Sequence, residues 1–284
     1  MKNQSDLERI TEELERYRGR DPELSRLIDL YQEVFRVQES TRLKAKSTPG
    51  IVFDEARRRL SSGHFILEGR GLNIDAGLFR EAALALGEVF SRVSGDRFPS
   101  QEILALPQLR PEAISGFASD ILSNRVDYLK QFARGTDFNE ETVFLFLYSL
   151  VVPFFQAEAE NYKDVIKESG WLKGICPFCG SPPRYARFHQ EDGRRILFCP
   201  LCRSQWRFPR LSCPFCGNSD HKKLRHFYLS EDKAHRADVC NKCQRYIKTT
   251  DERSLGREVI PQVEDAASLP LDYLAVREGY QRDA

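Results

Sequence analysis

Outside residues 176–243 the chain has no cysteine, so neither disulfides nor thiol-based metal sites can form in the rest of it. It has no Gly-x-Ser-x-Gly elbow, no phosphate-binding loop and no dinucleotide fingerprint. Those absences remove the α/β-hydrolase, P-loop and Rossmann classes of enzyme. The first residues, Met-Lys-Asn-Gln-Ser-Asp-Leu-Glu-Arg, contain no apolar core, and no signal peptide is expected. The longest apolar run, Val143 to Phe155, is short for a membrane span and contains Ser149 and Pro153. A cytoplasmic protein is therefore expected, and in a reducing compartment paired cysteines are metal ligands or redox groups rather than disulfides.

What is present suffices for a sizeable core. The 284 residues are 41% hydrophobic and 11% aromatic, which suits two domains or one domain with an elaborate appendage. Net charge is +1 but unevenly spread. Lys173 to Lys248 holds 16 Lys and Arg against 6 Asp and Glu, a net of +10, so the remainder carries −9. The basic segment reads either as a solvated surface on a small domain or as a face for an acidic partner.

All eight cysteines fall into four Cys-x-x-Cys pairs: Cys176/Cys179, Cys199/Cys202, Cys213/Cys216 and Cys240/Cys243. Two intervening residues let both thiolates of a tight turn face one ion, and four sulfurs complete a tetrahedron. Gaps of 19, 10 and 23 residues separate the pairs. Gaps near 20 suit ribbon modules, so the first pair is expected to join the second, and the third the fourth; a cross-braced pairing stays open. Proline follows the first cysteine in three turns, and Gly180 and Gly217 can supply positive φ. Four sulfurs suit zinc or a single iron, and spacing alone does not choose. Of the five histidines, four lie in this segment; with eight thiols filling two sites, surface or structural roles are expected for them.

The fold expected is α+β: an all-α helical bundle over residues 1–170, tandem four-cysteine modules of zinc-ribbon type over 171–250, and an acidic extension over 251–284. Helices are expected from Leu7 to Tyr17, from Asp21 and Pro22 to about Ala45, from Asp75 to Ser94, from Pro111 to Gly135, and after Asp137 or Asn139 through the apolar run, where Pro153 should kink it. In the helix after Asp75, the expected core stripe is Leu78, Ala82, Leu86, Val89 and Val93. Tyr185 to His189, Arg195 to Phe198 and His226 to Leu229 read as strands. Trp206 reads as a plug in the small metal-bearing core. Asp265 and Asp272 read as solvated acids of a loose tail, with a short helix near Leu269 to Arg277. No catalytic residues are expected.

The motif string Cys176-Pro-Phe-Cys179-Gly-Ser-Pro-Pro, Arg195-Ile-Leu-Phe-Cys199-Pro-Leu-Cys202, Trp206, Arg210, Cys213-x-x-Cys216 and Cys240-x-x-Cys243 with Tyr246-Ile247-Lys248 resembles the formate dehydrogenase accessory protein family, FdhE. The segment Glu264 to Asp272 is similar to that family's acidic stretch ending in Leu-Asp. Gln205 stands before Trp206 where the family favours an acidic residue. The resemblance covers about residues 171–275. It implies a cytoplasmic assembly factor whose partner is the catalytic subunit of a respiratory formate dehydrogenase. It also implies rubredoxin-like sites holding two ions, with iron favoured and zinc the other candidate. The other reading of a basic, aromatic four-cysteine segment is a nucleic-acid-binding zinc ribbon. Homo-oligomerisation is left open.

Overall fold

Two of the long helices begin where a side chain satisfies a free amide. In the computed structural model, Asp75 accepts from the Leu78 amide at 2.7 Å, and Asn139 accepts from the Thr142 amide at 2.8 Å. The structure describes residues 6–19, 22–45, 49–95, 97–106, 109, 110, 113, 139–229 and 232–282. The helix expected from Pro111 to Gly135 lies almost wholly outside the described residues.

The chain forms two compact units, Met1–Val52 with Leu67–Asn161, and Phe53–Ile66 with Tyr162–Ala284. The first unit is helical: α1 (Asp6–Glu15), α2 (Pro22–Lys44), α4 (Ala76–Ser94), α5 (Ser100–Leu104) and α6 (Glu140–Glu160). Gly95, at φ 80°, caps the end of α4. The α4 stripe differs from the expected one. Ala82, Leu86 and Val89 are buried, but Val93 is 48% exposed and Phe79 and Phe90 face the core instead.

The apolar run falls in α6, which continues through Pro153. By length and composition α6 could cross a membrane, yet 72% of its most apolar stretch is buried inside the protein. Val143, Phe146, Leu147, Leu150 and Val151 have no exposed surface, so α6 is a core helix. Phe146 packs on Phe90 and Phe98 at centroid distances of 5.6 and 4.7 Å. The Gln38 side-chain amide of α2 donates to the Ser149 carbonyl of α6 at 2.9 Å.

The second unit contains α3 (Phe53–Ser61), α7 (Lys163–Glu168), a six-stranded sheet and three C-terminal helices. The strands are β1 (Tyr185–Phe188), β2 (Arg195–Phe198), β3 (Gln205–Phe208), β4 (Leu224–Leu229), β5 (Asp232–Cys240) and β6 (Arg245–Asp251). Their spatial order is β3-β2-β1-β6-β5-β4. Two antiparallel meanders, β1–β3 and β4–β6, are joined by parallel pairing of β1 with β6. The second meander thus repeats the first by translation, which agrees with the repeated Cys-Pro-Phe-Cys-Gly turns.

The compact units do not divide at residue 170. Phe53–Ile66 packs with the cysteine segment: the Ile66 amide donates to the Pro177 carbonyl at 2.9 Å, and Tyr162 packs on Phe53 and Phe178. The tail is not loose either. It forms α8 (Glu252–Leu255), α9 (Pro261–Ala267) and α10 (Leu269–Arg277). Ala275 of α10 is fully buried with Ala237, Val239 and Tyr246 of β5 and β6.

Candidate metal centres and the buried ionic network

Each meander places one cysteine turn before its first strand and another between its second and third strands. The eight thiols meet as two sets, Cys176, Cys179, Cys199, Cys202 and Cys213, Cys216, Cys240, Cys243; within each set all sulfurs lie within 4.8 Å of one another. The pairs therefore meet first with second and third with fourth. No cysteine is disulfide-bonded.

All four turns share one backbone geometry. The residue after the second cysteine has positive φ in each: Gly180 78°, Arg203 58°, Gly217 68° and Gln244 57°. Its amide donates to the carbonyl of the first cysteine at 2.8–3.0 Å. The glycines were legible as such positions; Arg203 and Gln244 occupy the left-handed region at a steric cost that glycine avoids. A side chain at Gly180 would also sit 2.7 Å from the Phe65 ring. The two sets come together where Gly174 passes Pro214, so close that a Cβ there would lie 1.7 Å from the Pro214 carbonyl oxygen. Trp206 is buried, and its indole N–H donates to the neighbouring Lys173 carbonyl at 2.9 Å.

The sulfur spacing fits a metal. In the first set Cys176–Cys202, Cys179–Cys199 and Cys179–Cys202 are 3.4, 3.5 and 3.7 Å apart. In the second, Cys213–Cys243 and Cys216–Cys240 are 3.7 and 3.8 Å apart. A tetrahedron with metal–sulfur bonds of about 2.3 Å has edges of about 3.8 Å. Burial pushes the Cys176, Cys202 and Cys213 thiols up. Such sulfurs ionise together only against a compensating positive charge. Each set could hold one ion. The sets differ in access: the first is wholly buried, whereas Cys216 and Cys243 of the second are half-buried.

Two buried ionic clusters attach the C-terminal helices to the sheet. Lys248 of β6 has no exposed side-chain surface; its ammonium donates to Asp272 Oδ2 and the Asp265 carbonyl, both at 2.6 Å, and lies 3.0 Å from Asp265 Oδ1. Arg282 pairs with Asp265, and with Asp272 Oδ1 at 2.9 Å. The Tyr246 hydroxyl donates to Asp272 at 2.7 Å. Burial alone would raise the Asp265 pKa, but Lys248, Arg282 and Arg184 hold it far below the ordinary carboxylate range. The expectation that Asp265 and Asp272 are solvated is thus corrected: they neutralise a lysine whose burial the sequence does not signal.

In the second cluster, His235 lies 2.7 Å from both Asp232 and the fully buried Glu264, which also pairs with Arg257 at 2.9 Å. Burial alone would lower the His235 pKa; the hydrogen bonds to Asp232 and Glu264 overcome it and raise the value to about 9. A raised folded-state value gives stability that is complete below the unfolded value of about 6.5 and is lost as pH rises through about 9. Urea unfolding at pH 6 and pH 9.5 should differ by on the order of 2 kcal/mol more for the wild type than for His235→Gln. Equal pH dependence of the two proteins would contradict this.

Residues 175–210 match the FdhE central domain and residues 211–284 the FdhE C-terminal domain, a division that falls between the two meanders. The chain is 33% identical over 145 residues to a Protein FdhE homolog of Aquifex aeolicus, covering 50% of each chain. It is 34% identical over 124 residues to the Protein FdhE of Escherichia coli, covering 41% of this chain and 38% of that one. The matched stretches thus span about half the length of these curated relatives, or less. The crystal structure of the FdhE protein from Pseudomonas aeruginosa superposes with a TM-score of 0.67 at 22% identity, over 97% of this chain and 93% of that one. That likeness shows a shared fold.

Proposed function

Residues 175–284 make this chain a member of the FdhE family, and from that premise we propose that it is an accessory protein of formate dehydrogenase rather than an enzyme. It acts in the cytoplasm on the catalytic subunit during maturation, and a metal-stapled platform recognises that client. The observation that carries this reading is that both four-cysteine sets fall within the matched domains and assemble at metal-like sulfur spacing.

In this reading Cys176, Cys179, Cys199 and Cys202 hold one ion, and Cys213, Cys216, Cys240 and Cys243 the other. Zinc would supply a rigid crosslink, and iron would add a one-electron couple. Recognition is assigned to residues 171–250, with 251–284 buttressing them and the unit of Met1–Val52 with Leu67–Asn161 serving as the helical body. Because Cys216 and Cys243 are half-buried, a chelator such as EDTA should strip the second ion at least about tenfold faster than the first. Loss of both ions in one phase would contradict the unequal access.

The functional reading is tested by pull-down of a formate dehydrogenase catalytic subunit with the metal-loaded chain at low and moderate salt. Co-elution is expected, and no association in either condition overturns the proposal. A nucleic-acid partner would instead shift labelled DNA or RNA with an affinity that falls steeply with salt.

A further inference from the structure

Beside the second cysteine set, a cavity of about 110 Å³ is lined by Arg195, Arg210, Arg225, Arg236 and Arg245, with Asp238 as its one carboxylate. The metal does not account for this concentration of charge. Asp238 is already shared: Arg195 Nη2 lies 3.4 Å away, Arg236 Nε 2.8 Å, and the Thr249 hydroxyl donates to it at 2.7 Å. Four thiolates on a divalent ion carry a net charge of −2. They and Asp238 together cancel three of five guanidinium charges and leave two.

The site is built rather than incidental. Arg195 is only 3% exposed, its Nη1 donates to the Ser212 carbonyl at 3.0 Å, and its buried Nε has no hydrogen-bond partner among the described residues. A buried donor without an acceptor is costly unless something fills the role. The guanidiniums of Arg210 and Arg236 lie 4.7 and 4.6 Å from the centre of the Phe188 ring, and that of Arg245 lies 5.6 Å from the centre of the Phe215 ring. Aromatic faces fix planar cations in place at little entropic cost. Arg210, Arg225 and Arg245 have no carboxylate partner among the described residues.

We propose that this pocket binds a phosphate-type dianion, either free phosphate or the terminal group of a phosphate monoester. Guanidinium forks match phosphate oxygens bidentately, the volume suits one such group, and two surplus charges favour a dianion over a monocarboxylate. The pocket lies on the sheet that carries the proposed client platform, but its chemistry is independent of the client's identity.

The test is isothermal titration calorimetry of the metal-loaded full chain at low ionic strength with inorganic phosphate, adenosine monophosphate and acetate. One phosphate site is expected, with acetate binding at least about tenfold more weakly. Arg210→Gln and Arg225→Gln, both at exposed positions, should each weaken phosphate about tenfold while keeping two ions and the wild-type melting temperature. Tighter binding of adenosine monophosphate than of phosphate identifies an esterified ligand; the reverse order identifies free phosphate. Absence of phosphate binding, acetate binding as tightly as phosphate, or unchanged affinity in both variants overturns the proposal.

Discussion

Cys240→Ser is expected to leave one metal ion per chain instead of two and to unfold the second meander. Cys240 ends β5, where it pairs with Leu224 of β4 and Arg245 of β6, so one residue closes both the ion set and the sheet. The apolar core behind it is small: Ala237, Val239, Tyr246 and Ala275, with Phe227 and Tyr280 against them. Binding energy at a structural site is folding energy, on the order of 10 kcal/mol for a four-ligand ion. A core of this size does not replace it. The expected loss is about 5 kcal/mol or more, and Cys176→Ser should do the same to the first set. Elemental analysis and urea unfolding read the two effects together. Full metal content with an unchanged melting temperature would refute the ligand assignment.

Lys248→Met should be the next most damaging change. The substitution keeps the side chain's length and apolar stem but removes the charge facing Asp265 and Asp272. Arg282 still reaches both carboxylates, so neither is left wholly without a partner. Breaking a buried ion pair on one side nevertheless costs about 3–5 kcal/mol. Because Asp265 and Asp272 lie on α9 and α10, these helices should detach before the sheet melts. Hydrogen exchange of residues 261–277 at neutral pH should rise to near that of an unfolded segment, with both ions retained. A variant that loses less than about 1 kcal/mol and keeps its protection would show that the network does not anchor the tail.

Which of these features the sequence announces follows from how local their causes are. A Cys-x-x-Cys turn is set within four or five residues, and the gaps between turns limit which can meet, so both four-cysteine sets were legible. So were helices α2, α4 and α6; in α4 and α6 the signal is local, since Asp75 and Asn139 accept from amides three residues on and the Gly95 amide donates to the Ser91 carbonyl. Strands β1, β2 and β4 carry aromatic or branched residues; β5, with Ala234, Ala237 and several charges, offers a weak alternation signal, and β6 interrupts its own with Lys248 and two threonines.

The remainder depends on distant partners. Nothing near Lys248 marks it as buried, since the two carboxylates that neutralise it, Asp265 and Asp272, follow 17 and 24 positions later. Nothing in the turn after α3 announces that Phe65 will lie over Gly180. Nor does any local motif place five arginines from β2, β4, β5, β6 and the β3–β4 link around one cavity.

The central claim is that eight thiolates hold two ions, and it is tested most directly by counting both on one sample. Protein purified without oxygen should contain two zinc or iron ions per chain, and its eight cysteines should react with a thiol reagent only after chelation or denaturation. Fewer than two ions, or thiols that react freely or are found joined as disulfides in the native protein, would contradict the account.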